Sequence, residues 1–131
     1  MIVLDTHVLV WLVARPEQLS TPARKSIAAA RKQDGILVSS ISVWEVAMLV
    51  TKQRLVLTMA VEEWLKRVEA LPFLHFVPVD NSLALRSVTL PGRLHGDPAD
   101  RLIVATALRF GAPLVTRDRR LRRYSHVKTI W

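Results

Sequence analysis

Apolar residues fall into two kinds of run along this chain. Short blocks rich in branched residues, MIVL (1–4), ILVSS (36–40), FVPV (76–79), PLVT (113–116) and HVKTIW (126–131), have the length and composition of strands. Between them lie longer stretches with helical character. VLVWLVA (8–14) stops at Arg15-Pro16, and Ser20-Thr21-Pro22 opens a segment that runs to about Lys32 and ends at Asp34-Gly35. SVWEVAMLV (42–50) and NSLALRSVTL (81–90) read as helices. Residues 60–70 carry Val61, Trp64, Leu65 and Val68 on one side, at helical spacing. Residues 98–110 form a helix closed by Gly111, and RDRRLRRY (117–124) forms a turn or short helix. Alternating strands and helices predict βαβ units, hence an α/β fold: a three-layer α/β/α sandwich with a mainly parallel central sheet. The 131 residues show no repeat, linker or low-complexity segment, so a single domain over 1–131 is expected.

Parallel sheets of this kind bind ligands beyond the carboxyl ends of their strands. Acidic residues collect at those ends. Asp5 follows the first strand directly, Glu45 lies about a turn into the helix after ILVSS, Asp80 follows FVPV, and Asp118 follows PLVT by one residue. Like charges brought together raise one another's pKa, and a divalent cation removes that cost. Hard oxygen donors without cysteine or a histidine pair suit Mg²⁺ or Mn²⁺ rather than zinc. Each acid also has a plainer role. Asp5 and Asp80 suit helix caps, Glu45 suits a solvent stripe, and Asp118 suits pairing with its arginine neighbours.

HGDPADR (95–101) adds two more carboxylates just before LIVATAL (102–108). Asp97 before Pro98 is an N-cap, and Asp100 fits the acidic end of a capping box. The helical wheel separates them. Positions three, four and seven after Asp100 are Ile103, Val104 and Ala107, so Asp100 faces inward, with Arg101 and Arg109 on the wet side. An inward carboxylate wants a cation or hydrogen-bond donors. Thr6 and Thr116 flank the same edge and suit supporting hydrogen bonds. His7, His75, His95 and His126 form no metal pattern, and His95 reads as a turn residue.

Charge then changes the picture. Nineteen Lys and Arg against eleven Asp and Glu give +8, with a pI near 11.1, so a polyanion or an acidic protein is an expected partner. Arg117, Arg119 and Arg120 crowd around Asp118, with Arg122 and Arg123 just beyond, and such arginines suit phosphodiester recognition beside an acidic metal site. No run approaches the roughly 18 apolar residues of a membrane span. MIVLDTH lacks the basic start of a signal peptide, and the chain has no cysteine, which together suit the cytoplasm. The glycines at 35, 92, 96 and 111 make neither a phosphate loop nor a dinucleotide fingerprint, and no Ser–His or Cys nucleophile motif is present.

IVLDTHVLVW, SSISVWEVAML, LHGDPADRLIVATAL and APLVTRD together resemble the PIN domain, specifically the VapC-type ribonuclease toxins, over essentially the whole chain. The resemblance implies an acidic Mg²⁺- or Mn²⁺-dependent site that cleaves single-stranded or loop RNA by in-line attack of an activated water. The family's acidic set falls on Asp5, Glu45, Asp100 and Asp118 as catalytic and metal-binding residues. Thr116 matches its hydroxyl, and Thr6 and Asp97 become accessory. It also implies a cognate antitoxin that blocks the site, and a homodimer. Trp11, Trp44 and Trp64 are candidates for such contacts, or else core residues. Two other readings stay open at this point. One is a non-catalytic basic nucleic-acid-binding module, and the other a phospho-receiver domain modified at Asp80.

Overall fold

The computed structural model describes residues 1–131. Five parallel strands form its centre, in the order β3-β2-β1-β4-β5. They are β1 (Ile2–Leu4), β2 (Ile36–Ser39), β3 (Leu74–Val77), β4 (Leu114–Val115) and β5 (Thr129–Ile130). Val3 of β1 lies opposite Leu37 on one side and Leu114 on the other.

Strand alternation assigns the two faces. Ile2, Leu4, Ile36, Val38 and Val115 enter one core cluster, whereas Val3, Leu37 and Leu114 enter the other. Helices α1 (Thr6–Ala14), α2 (Thr21–Lys32) and α4 (Val61–Glu69) cover the first face with Val8, Leu9, Ala23, Ile27, Trp64 and Val68. Helices α5 (Asn81–Val88), α6 (Pro98–Phe110) and α7 (Arg119–Arg123) cover the second with Leu83, Ile103, Val104 and Leu121. Helix α3 (Ile41–Thr51) leaves β2 and touches α1, α4 and α6. The result is the α/β/α sandwich that the alternating pattern predicts. No helix is long and apolar enough to cross a membrane.

Local signals explain the helix ends. Ser20 caps α2 by accepting from Ala23 N at 3.2 Å, and Asp80 caps α5 by accepting from Leu83 N at 2.8 Å. Gly111 ends α6 in the left-handed region, with φ of 58°.

Some expectations move. The third strand lies over Leu74–Val77 instead of 76–79, because Pro78 has no N–H for the ladder and the chain turns there toward Asp80. The last strand shrinks from 126–131 to Thr129–Ile130, since it pairs only with the two-residue β4 at the sheet edge. Arg101 is not on the wet side. Its guanidinium donates to the carbonyls of Ser87, Val88, Leu94 and His95, tying α6 to the end of α5 and to the loop between them.

Candidate active site

The chain enters the sheet at β1, moves outward through β2 to β3, then returns to β4 and β5 on the other side of β1. Strand order therefore reverses between β1 and β4, and a crevice opens at their carboxyl ends. A pocket of about 280 Å³ occupies that edge, lined by Asp5, Glu45, Asp97, Asp100, Asp118 and Arg120, with Thr6, His7 and Trp11 among its walls.

Each acid is delivered by a different element. Asp5 ends β1 and caps α1, and only 3% of it is exposed. One carboxylate oxygen accepts from Thr6 N at 2.8 Å, the other from Thr116 Oγ1 at 2.6 Å. Thr116 Oγ1 in turn accepts from Asp118 N at 3.0 Å, so one hydroxyl links the ends of β1 and β4. Asp118 caps α7, accepting from Arg120 N at 2.8 Å and from the Arg120 guanidinium at 3.2 Å. Glu45 reaches in from α3 and accepts from Thr6 Oγ1, which also pairs with Ser42 Oγ at 2.9 Å. Asp100 lies on the buried side of the first turn of α6, 8% exposed, as the wheel predicts. Asp97 caps α6 by accepting from Asp100 N at 3.0 Å and stays exposed at the pocket lip.

Electrostatics separate these groups. Burial raises Glu45 to about 7; the Thr6 hydrogen bond opposes this, and the charges of Asp5, Asp100 and Asp97 add to it. Burial likewise raises Asp100 to about 6 against the hydrogen bond to His95. Burial also works to raise Asp118, but its side-chain and backbone bonds to Arg120 outweigh that and leave it below the usual carboxylate range.

Two histidines that form no pattern in the sequence belong to the site. His95 Nε2 lies 2.6 Å from Asp100 Oδ2. His7 Nδ1 lies 3.6 Å from Asp5 Oδ2, while its Nε2 accepts from Arg117 N at 3.1 Å. That acceptor role assigns the ring proton to Nδ1. Burial lowers the His7 pKa, Asp5 and Asp118 oppose this, and Arg117 adds to it. Sequence reasoning had one usable signal here: His7 is two residues after Asp5, and His95 is five before Asp100.

The remaining candidates divide. Arg120 lines the pocket, 3.6 Å from Asp100 Oδ2. Arg117 lies beside it, with its guanidinium 5.9 Å from the Trp11 ring, whereas Arg119 is exposed outside the pocket lining. Trp11 joins the pocket wall, Trp64 is buried in the core and unavailable as a contact, and Trp44 is 55% exposed. Asp80 is not in the pocket. It caps α5 and accepts from Arg109 at 2.9 Å, and backbone bonding to Leu83 followed by Arg109 holds its pKa low. Its neighbourhood is that of a helix cap, which removes the basis for a phospho-receiver.

The donor chemistry fits a hard divalent cation: all-carboxylate, partly buried, with two acids whose pKa values burial raises toward neutrality. The set is open, and no three of the acidic and imidazole groups converge as metal ligands. Glu45, Asp100 and Asp118 are each held in orientation by a protein partner, Thr6, His95 and Arg120 respectively.

Comparison with known proteins places this arrangement. Residues 2–127 match the PIN domain family model. The chain is 40% identical over 132 residues to ribonuclease VapC22 of Mycobacterium tuberculosis, covering 99% of this chain and 98% of that one. Its fold is similar to the crystal structure of FitAcB from Neisseria gonorrhoeae, with a TM-score of 0.69 and 23% identity, over 98% of this chain and 96% of that one. It is also similar to VapBC2 from Rickettsia felis bound to a promoter DNA fragment, with a TM-score of 0.68 and 20% identity, over 98% and 97%. With the family model matched almost end to end and a curated relative at this identity, the chain belongs to the PIN domain family and, within it, to the VapC group.

Proposed function

We propose that this chain is a VapC-type endoribonuclease toxin, a hydrolase of RNA phosphodiesters that depends on Mg²⁺ or Mn²⁺ and is inhibited by a cognate antitoxin. One observation carries the reading: four carboxylates from β1, α3, α6 and the β4–α7 turn line a single pocket at the switch point of a protein that is otherwise strongly basic. A non-catalytic polyanion binder gains nothing from such an acidic centre. The ribonuclease name of the 40% identical relative points the same way.

Asp5, Glu45 and Asp100 would hold the principal ion, and Asp118 would hold a second or orient the attacking water. Bound there, the ion supplies Lewis acidity toward the scissile phosphate and a lowered pKa for the attacking water. The chain's own residues do the rest. Thr116 and Thr6 hold Asp5 by both oxygens, which sets its orientation before substrate arrives. His95 fixes Asp100 through Oδ2. Arg120 balances Asp100 and Asp118 and presents a guanidinium to the phosphate. Arg117 and Arg119 extend the positive surface for the rest of the strand. In this reading water attacks the scissile phosphorus in line, the 3′ oxygen leaves, and the product carries a 5′-phosphate.

The 131 residues act as one PIN-like unit, in the cytoplasm, paired as a homodimer. Leu85 and Val88, 69% and 75% exposed on α5, supply apolar surface for such pairing, and light scattering on the free chain tests it. Structural relatives solved as toxin–antitoxin complexes support the antitoxin partner.

The deciding experiment is cleavage of a mixed tRNA and rRNA pool by purified protein freed of partners, in Mg²⁺, Mn²⁺ or EDTA, beside Asp100→Asn. Metal-dependent cuts that vanish in the variant support the reading. Equal behaviour of wild type and variant overturns it in favour of the binding module.

A further inference from the structure

A second cavity of about 270 Å³ adjoins the acidic pocket, lined by Arg93, Leu94, His95, Arg120, Arg123 and Tyr124. The two share Arg120, and His95 bonds to Asp100, so the cavities meet at the catalytic acids. Five other arginines have structural work. Arg24 donates to the Leu19 carbonyl, Arg31 covers Phe73, Arg67 pairs with Glu63, Arg101 binds four carbonyls and Arg109 pairs with Asp80. Arg93 and Arg123 are exposed and belong to none of the protein's ion pairs.

The trough is built, not incidental. Tyr124, only 5% exposed, donates from its hydroxyl to the Pro91 carbonyl at 2.5 Å. Arg101 holds the Leu94 carbonyl at 2.9 Å. Gly92 takes φ of 67° and lies so close to the His126 ring that a Cβ there would come within 2.8 Å of Nε2. The loop carrying Arg93 and His95 is therefore pinned from α6, from Tyr124 and from His126.

We propose that Arg93, Arg120 and Arg123 form the subsite for the RNA phosphate next to the scissile one, on the His95 side of the catalytic acids. The proposal rests on the ribonuclease reading above. Guanidinium forks suit phosphate oxygens, and two of the three have nothing else to bind. A strand whose scissile phosphate lies against Asp5 and Asp100 has two positive ways out of the pocket, past Arg117 on the His7 side and past Arg120 on the His95 side, and the trough continues the second. The site positions the strand and carries no base specificity of its own.

The test measures binding of a fluorescein-labelled single-stranded RNA in EDTA across a salt series, beside Mn²⁺-dependent cleavage kinetics. The proteins are wild type, Arg93→Gln/Arg123→Gln, and Lys25→Gln/Arg67→Gln, which removes the same charge from α2 and α4 on the opposite face. The trough variant is expected to bind at least about tenfold more weakly. Its log Kd against log salt should be shallower by about 1.4 for two lost single-strand phosphate contacts. KM should rise with kcat nearly unchanged. Equal losses in the control variant overturn the subsite, because general charge then explains them. Wild-type cleavage with unchanged affinity and salt slope in the trough variant also overturns it, leaves the ribonuclease reading standing, and assigns these arginines to an acidic protein partner. A wild type that neither binds nor cleaves RNA overturns both.

Discussion

Asp100 and Glu45 carry the largest consequences of single atoms in this protein. Both are held above the ordinary carboxylate range by burial, at about 6 and about 7. An acid whose pKa is raised by folding binds more protons in the native than in the unfolded state between its unfolded and folded values. Without divalent ions, its contribution is therefore full below about pH 4 and is lost as pH rises through 6 to 7. Thermal melts in EDTA should show Glu45→Gln gaining on wild type as pH rises from 5 to 8, by roughly 1–3 kcal/mol. Saturating Mg²⁺ should erase the difference, and calorimetry in buffers of different ionisation heat should register proton release on binding at pH 7. Asp100→Asn should lower cleavage by at least about a hundredfold with the fold intact, as circular dichroism would show. His95 belongs to the same scale. His95→Ala frees the Asp100 carboxylate and should weaken Mn²⁺ affinity by about tenfold, read by electron paramagnetic resonance. His95→Gln, which keeps a donor, should recover most of it.

At the scale of elements, two helix caps share one chemistry and differ in consequence. Asp80 and Asp97 each accept from a backbone N–H three residues on, at 2.8 and 3.0 Å. Replacing either by alanine should cost about 1 kcal/mol in denaturant unfolding. Only Asp97→Ala should also slow cleavage, by several-fold, because the N–H it holds is that of Asp100. Asp80→Ala should leave cleavage unchanged, since Asp80 lies outside the pocket lining and its carboxylate holds only Leu83 N and Arg109. The elements also show where patterning was legible. The helix at 98–110 keeps its expected bounds because Asp97-Pro98 and Gly111 are local signals with local causes. The third strand slid by two residues because FVPV reads as β-branched, and its backbone lacks a donor at Pro78. Arg101 was misplaced because a helical wheel knows one helix, while its guanidinium binds carbonyls from α5 and the following loop.

At the scale of the whole molecule, a net charge of +8 surrounds an acidic pocket. RNA approach should therefore be steered by long-range attraction, and kcat/KM should fall steeply with ionic strength above roughly 0.1 M, where the Debye length shrinks to about 10 Å. The melting temperature should change little over the same series, which stopped-flow cleavage and parallel melts would verify. By itself, the sequence determined the α/β class, the helix caps, and the positions of Asp5, Glu45, Asp100 and Asp118 relative to strand and helix ends. Those follow from periodicity and capping, which act within a few residues. Only the tertiary structure decided that these four line one pocket while Asp80 does not, and that His7 and His95 join them. It also placed Trp64 in the core and set Arg93 and Arg123 beside Arg120. Those facts depend on sheet order and on contacts such as Thr116 to Asp5, whose partners stand 111 residues apart and meet only when β4 inserts beside β1.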